Sequence, residues 1–162
     1  TRGFYLESSF QQFGDYLGAD FNYGNFLLDA RKLFPIKKDQ VVSTNLYAQF
    51  NSKGAPFFAL AQLGGDKVLR GLFEGKYRDR NVLALQGEYR WMFLERWGAV
   101  AFGGVGNVFS ADNSFQVDQA KIAYGLGGRF KLTKKKKLNL RLDLAHSPGE
   151  NLQFYFTFGE EF

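Results

Sequence analysis

Residues 151–162, NLQFYFTFGEEF, decide the fold, because successive side chains of an extended strand point to opposite faces. One face is apolar and carries Leu152, Phe154, Phe156 and Phe158. The other face is polar and carries Gln153, Tyr155, Thr157 and Glu161. Such a strand, followed by the aromatic Phe162, is typical of the closing strand of a transmembrane β-barrel. An edge strand of a soluble β-sandwich is the alternative for this segment.

The composition indicates one aromatic-rich domain over residues 1–162. The chain has 19 Phe, 8 Tyr and 2 Trp, but only 3 Pro and no Cys. The lack of cysteine excludes disulfide bonds and thiolate metal sites. No apolar run reaches the roughly 18 residues of a transmembrane helix, and the N-terminus shows no signal-peptide pattern. We therefore expect any membrane crossing to be made by strands.

The net charge of +5 does not indicate nucleic-acid binding. It arises from 21 Lys and Arg against 16 Asp and Glu, and four of the lysines form the run 134–137. A nucleic-acid site would gather basic residues on a groove or helix with a readout element, and none is visible. The lysine run instead fits a solvated turn that faces phosphate headgroups. Outer-membrane lipid is the expected partner.

Eight strands are predicted, and their connections alternate in length. The strands cover about 2–13, 20–34, 40–51, 82–94, 98–109, 121–133, 138–146 and 151–162. Short connections are expected at about 35–39, 95–97 and 134–137, and long ones at about 52–81 and 110–120. Short turns at one rim and long loops at the other are typical of outer-membrane barrels. The sequence therefore predicts an all-β, antiparallel up-and-down transmembrane β-barrel of eight strands, with an extracellular loop at about 52–81.

The alternation of apolar and polar side chains does not by itself show which face points into the barrel. A lipocalin-like soluble barrel would turn the same leucines inward around a ligand, but the unequal connections favour lipid outside. A tilted strand needs about 9–11 residues to cross the apolar layer of the membrane, so eight strands and their connections account for the whole chain. Three assemblies stay open: an eight-stranded barrel, half of a larger barrel, or a fragment. A monomer with a plugged interior is favoured, and a homodimer of sixteen strands is the alternative.

The long connection carries a recognisable motif. Residues 62–81 read QLGGDKVLRGLFEGKYRDRN. The pair Arg70 and Gly71 within it resembles the Arg-Gly-aromatic loop motif of the Omp85 superfamily, the BamA-like or bacterial surface antigen barrels. Segments 86–90, 102–108 and 141–143 and the final strand resemble, in order, the strands that follow in that family. The resemblance runs from about Phe26 onward.

The resemblance implies a role for the loop arginine. In the family this residue folds back into the barrel lumen and pairs with acidic residues on neighbouring strands. By analogy, Arg70 pairs with Glu88. Two differences stand out, because Gly104 occupies a position where the family carries an acidic residue, and Leu72 replaces the usual aromatic. Since eight strands enclose little more than their own side chains, a loop over the barrel mouth is the alternative for a monomer.

The resemblance also implies a function and a location. Family members in the bacterial outer membrane assemble outer-membrane proteins or transport polypeptides, so other outer-membrane or periplasmic proteins would be partners. Members with these activities carry periplasmic polypeptide-binding repeats before a sixteen-stranded barrel, and neither is seen in these 162 residues. A small structural or partner-binding barrel without transport is therefore the alternative function.

No catalytic, cofactor or metal site is predicted. His146 is the only histidine, and it lies beside Ser147 and close to Asp143 in the sequence. These three residues are too local to form a nucleophile, base and acid triad. Asp112 and Asp118 could bind a cation, but their spacing fits no calcium loop. A lipid-modifying outer-membrane enzyme is the remaining alternative from another class.

Overall fold

The computed structural model describes residues 2–110, 115–132 and 139–159, and the fold of these residues is all-β. The strands are β1 Gly3–Phe13, β2 Tyr23–Lys37, β3 Gln40–Asn51, β4 Ala61–Leu63, β5 Tyr77–Asp79, β6 Asn81–Trp91, β7 Trp97–Phe109, β8 Lys121–Lys131, β9 Asn139–His146 and β10 Gln153–Gly159. Single turns of 3₁₀ helix cover Asp15–Leu17, Phe57–Ala59 and Val117–Gln119. Among the described residues, no helix has the length and apolar character needed to cross a membrane.

Eight of the strands form one sheet, in the order β1-β2-β3-β6-β7-β8-β9-β10. Every neighbouring pair is antiparallel, which confirms the predicted antiparallel up-and-down order. The predicted strand 40–51 matches β3. The predicted end of the second strand is wrong, because β2 continues through Pro35 to Lys37. Its register with β3 shifts between these two residues, and such a bulge accommodates a proline that cannot donate a ladder hydrogen bond.

The sheet is not closed into a barrel in the described part of the chain, because β1 and β10 form its two edges. The predicted closed barrel of eight strands is therefore not what this structure contains. The connection between β3 and β6 lies on one face of the sheet, called here the inner face, and cavities of about 440 and 510 Å³ flank it. The interior of an eight-stranded barrel is filled by its own side chains or holds one small ligand, so it offers little space for such a loop.

The two faces of the sheet have opposite character. The outer face exposes a broad set of apolar side chains, among them Phe4, Leu6, Phe10, Phe26, Leu46, Phe50, Leu85, Leu126, Leu142, Leu144, Phe154, Phe156 and Phe158. The inner face buries charged side chains instead, with Asp143 only 1% exposed and Arg141 only 3%. Soluble proteins rarely expose apolar patches of this extent. This arrangement favours lipid on the outer face over the lipocalin-like alternative.

The connections differ in length between the two rims of the sheet. At one rim, called here the short-turn rim, residues 38–39 join β2 to β3 and residues 92–96 join β6 to β7. The opposite, long-loop rim carries the connections 14–22, 52–80 and 147–152, together with the described residues 115–120 before β8. The predicted turn 134–137, Asp112 and the terminal Phe162 lie outside the described residues.

The largest apolar core lies between the long loop and the inner face. Three leucines of the loop, Leu63, Leu69 and Leu72, are 0–1% exposed and pack against Ala84 of β6 and Ala123 of β8. Strands β4 and β5 pair with each other inside this loop, and the sequence pattern did not predict them. The loop is thus a folded part of the molecule, held on the sheet by its own hydrophobic core.

Candidate functional site

The turn that carries Arg70 has an unusual backbone conformation. Leu69 has φ of 65°, a left-handed value that is rare for a bulky side chain, and Gly71 has φ of 114°. A Cβ atom at Gly71 would lie 3.0 Å from Cβ of Ala123 and 3.1 Å from the carbonyl oxygen of His146. Position 71 therefore requires glycine, both for its conformation and because the loop backbone lies close to the sheet.

Arg70 extends from this turn to acidic residues on two strands. Its Nη1 atom lies 2.6 Å from Oδ2 of Asp143 on β9, and its Nη2 atom is paired with the carboxylate of Glu88 on β6. The guanidinium carbon stands 3.7 Å from the ring centroid of Phe102 on β7. The Arg70 side chain is only 8% exposed. This one residue joins the loop to three strands of the sheet.

Three more arginines belong to this site. Arg141 Nη2 lies 3.0 Å from Oδ2 of Asp143, and Arg129 Nη2 lies 3.3 Å from the same oxygen. Arg90 is paired with Glu88. The ion cluster, as it is called here, comprises Arg70, Glu88, Arg90, Arg129, Arg141 and Asp143. Buried ion pairs of this kind make the removal of one partner costly, because the remaining charge stays in a poorly solvated place.

The last described strand also binds the loop. The backbone N–H of Gly71 donates a hydrogen bond to the Tyr155 hydroxyl at 3.1 Å. Tyr155 lies on the polar face of β10, opposite the exposed Phe154 and Phe156. The alternation seen in the sequence of this strand therefore separates an apolar outer surface from a loop-binding inner surface.

Glycines of β7 make room for the loop leucines. A Cβ at Gly104 would lie 2.7 Å from Cδ1 of Leu69, and a Cβ at Gly106 would lie 2.7 Å from Cδ1 of Leu63. Both distances are too short for real carbon contacts. Gly104 therefore provides the space into which Leu69 packs.

The far side of the loop is attached to the turn between β9 and β10. Lys76 Nζ and the Tyr77 hydroxyl each donate to Oε1 of Glu150 at 2.6 Å. These two hydrogen bonds hold the pKa of the Glu150 carboxyl below its usual value. At the loop tip, Gln86 Nε2 donates to the carbonyl oxygen of Lys67 at 3.0 Å. The loop is thus fixed at its tip, its Arg70 turn and its return segment.

The structure brings Arg70, Gly71 and Glu88 together on the inner face. The alternative that leaves Arg70 in solvent over a barrel mouth is wrong for this structure, because its guanidinium is buried among β6, β7 and β9. Sequence reasoning missed Asp143 as the second acidic partner. The signal that could have found it is the polar face of β9, where Asp143 alternates with Leu142 and Leu144.

The residues considered for catalysis make structural contacts. Ser147 donates its hydroxyl to the carbonyl oxygen of Ile122 at 2.7 Å, and Asp143 belongs to the ion cluster. The His146 ring packs edge-on against Tyr124, with 5.8 Å between the ring centroids. Within the described ranges, no group of three His, Cys, Asp or Glu side chains is placed to hold a metal ion.

An antiparallel sheet with an apolar outer face, and with an Arg-Gly loop on its polar inner face, defines the class of protein. The family model for the Omp85 superfamily domain matches residues 1–162, the whole chain. The chain therefore belongs to the Omp85 superfamily, as its loop motif and strand order predicted. No curated protein matches its sequence.

Proposed function

We propose that the sheet is the wall of a β-barrel in the bacterial outer membrane. Its outer face supports this, since Leu142 and Leu144 of β9 are 42% and 48% exposed and Phe154 and Phe156 of β10 are 64% and 62% exposed. In water this surface would be unfavourable, whereas in a bilayer it meets hydrocarbon. The inner face carries the charged side chains, as the wall of a polar interior does.

A membrane barrel cannot leave strand edges unpaired, because the bilayer core offers no hydrogen-bond partners. We propose that β1 of one copy pairs with β10 of a second copy, so that two chains form sixteen strands. The loop and its two flanking cavities support this size, because eight strands enclose too little space for them. Closure of β1 on β10 within one chain, the assembly favoured by the sequence, is the alternative.

Disulfide cross-linking between single-cysteine variants tests this assembly, since the chain has no native cysteine. Phe4→Cys would be co-expressed with Phe154→Cys, Phe156→Cys or Phe158→Cys, all on the outer face. We expect one of these mixtures to give a covalent dimer. A bond that forms only when both cysteines belong to the same chain, and that gives a monomer band, would establish the eight-stranded barrel instead.

The activity we propose is assembly of outer-membrane proteins or transport of polypeptides, without catalysis. The observation that carries this proposal is the Arg70 loop docked on the inner face through the ion cluster, in a chain that matches the Omp85 superfamily domain throughout. Such a loop joins β6 to β9 and can transmit a change in strand packing to the interior. Client proteins of the outer membrane and periplasm are the proposed partners.

Depletion of the protein tests this activity. We expect the amounts of other β-barrel proteins in the outer membrane to fall, and the wild-type chain to restore them. Arg70→Ala should restore them poorly, whereas Lys53→Ala, a change at an exposed residue of the same loop, should restore them fully. Unchanged levels of all other outer-membrane proteins on depletion would contradict an assembly role.

A structural or partner-binding barrel without transport is the second candidate. One observation favours it, because the loop leucines and Arg70 cover the inner face of β6, β7 and β8. A polypeptide could not pass there unless the loop moved. Heat-modifiable gel mobility together with unchanged client levels after depletion would favour this candidate.

A further inference from the structure

A cavity of about 510 Å³ lies between the long loop and the inner face of β1, β2 and β3. Phe13 ends β1 and Tyr23 begins β2, so this part of the lining lies at the long-loop rim. The apolar core of the loop packs on β6 and β8 instead, against Ala84 and Ala123. The loop therefore leaves a space beside β1–β3 that has the size of ordinary ligand clefts, about 300–1,000 Å³.

Aromatic rings line this cavity on the sheet and on the loop. Phe13 and Tyr23 are direct neighbours across β1 and β2, and their rings stack with 4.6 Å between the centroids. Phe58 of the loop is 70% exposed and contacts Phe21 edge-on. An accessible ring face attracts C–H groups, because its π-electrons make that face negative. The lining therefore offers aromatic surface to a ligand that has an apolar C–H face.

Amide side chains of the sheet add both donors and acceptors to the lining. The Tyr47 hydroxyl donates to Oε1 of Gln49 at 3.3 Å, so the NH₂ group of Gln49 stays available to donate. Asn25 Nδ2 donates to Oδ1 of Asn51 at 2.6 Å, so Oδ1 of Asn25 stays available to accept. A ligand that satisfies both amides must itself donate and accept hydrogen bonds.

Three further polar side chains of the lining have no partner within the part of the chain that the structure describes. Gln11 of β1, Gln62 of β4 and Glu74 of the loop form no hydrogen bond or ion pair there. The Glu74 carboxylate can only accept, so an anion without donors would leave it unsatisfied. Each hydroxyl group of a ligand both donates and accepts, and so matches the amides as well as the carboxylate.

We propose that this cavity binds a short, uncharged saccharide. One face of a sugar ring carries C–H groups, and this face packs on the aromatic rings of the lining. The hydroxyl groups at the edge of the sugar ring form hydrogen bonds with the amides of Gln11, Asn25, Gln49 and Gln62 and with the Glu74 carboxylate. The ligand enters from the long-loop rim, where Phe58 is exposed. This site is independent of the proposed transport activity.

The test uses the full chain in micelles of a polyoxyethylene detergent, which carries neither sugar rings nor aromatic protons. Saturation-transfer NMR, with irradiation of the aromatic protons of the protein, would be recorded with glucose, galactose, N-acetylglucosamine, maltose and lactose. We expect transfer to the ring C–H protons of at least one of these sugars, rising to a plateau with concentration. Sorbitol, which has hydroxyl groups but no ring, should give much less. No saturable transfer to any of the sugars, or equal transfer to sorbitol, would overturn the proposal.

Paired variants test whether the sugar lies in this cavity. Phe58→Ala and Gln11→Ala should each lose at least half of the transfer, because both side chains line the cavity. The neighbouring changes Phe57→Ala and Gln12→Ala should keep it, since these residues lie outside the lining. All four positions are exposed, so the fold should be retained, and circular dichroism checks this. Equal transfer in all four variants would overturn the proposal, as would stronger transfer to trialanine than to any sugar, which would indicate a polypeptide site.

Discussion

At the scale of single residues, Arg70 is the side chain on which the loop geometry most depends. It is 8% exposed, contacts Glu88 and Asp143, and packs over the Phe102 ring. Its neighbours Leu69 and Gly71 adopt positive φ values to place it there. Strained backbone of this kind, which costs about 1–3 kcal/mol at a residue other than glycine, persists only when surrounding contacts compensate for it.

Loss of Arg70 should destabilise the protein strongly. We expect Arg70→Ala to lower the free energy of unfolding by about 3–5 kcal/mol, because two carboxylates lose a buried partner. Adding Glu88→Ala should recover part of this loss, with a coupling of about 0.5–3 kcal/mol. The recovery is incomplete because Arg90 also pairs with Glu88. Arg70→Lys, which keeps the charge but loses the planar donor set, should fall between wild type and Arg70→Ala. Small, additive effects in denaturant titrations would contradict a buried ion cluster.

A methyl group at Gly106 should weaken loop docking. The added Cβ would lie 2.7 Å from Leu63 Cδ1, and overpacking of this kind costs about 1–3 kcal/mol. Combining Gly106→Ala with Leu63→Ala should recover part of the loss, since the smaller loop residue vacates the space. Gly128→Ala is the matched control, because nothing lies within 4 Å of its added Cβ. Equal unfolding midpoints for the two alanine variants would show that the loop does not pack there.

At the scale of elements, unbroken alternation predicted strands well and predicted loops poorly. Residues 46–51 alternate between apolar and polar side chains, and the predicted range 40–51 matches β3. Strands β4 and β5 have three residues each, too few to show a period. Arg70 and Asp143 are 73 positions apart, and no local sequence pattern indicates a contact over such a separation. The family resemblance implied the contact between Arg70 and Glu88, because a family motif relates residues on different strands and the periodicity of a single strand does not.

The attachment of the loop to the β9–β10 turn should depend on pH. Because the folded pKa of Glu150 is depressed, its stabilising contribution is fully present above the ordinary glutamate pKa of about 4.3 and is lost as pH falls through the lower folded value. A spin label on Phe73→Cys, at an exposed loop position, reports the motion of this segment. We expect mobility to increase at acidic pH.

The matched control for this pH dependence is Glu150→Gln. Glutamine does not titrate and accepts weaker hydrogen bonds from Lys76 and Tyr77, so the label should be more mobile at neutral pH and change little on acidification. Wild-type mobility that is constant across the acidic range would show that the Glu150 contacts do not hold the loop.

At the scale of the whole molecule, the polarity of each face of the sheet determines whether lipid or water contacts it. Arginine in place of Leu46, which lies on the outer face of β3, should cost about 2–4 kcal/mol in lipid vesicles if this residue lies near the bilayer midplane. Arginine in place of Gln49 on the same strand should cost less, because that residue lines the inner cavity together with Asp66 and Glu74. Equal costs in folding titrations would argue for water on both faces.

The contact between Arg70 and Asp143 also constrains the order of folding. The partners of Arg70 lie on β6 and β9, and its turn contacts Tyr155 on β10, a separation of 84 positions from Gly71. Closing such long chain segments is slow, because the entropy of closure is lost before the contacts form. We expect Arg70 to dock only after the strands that receive the loop are in register. A chain with misregistered C-terminal strands should then keep its loop in solvent, where a protease can cleave it.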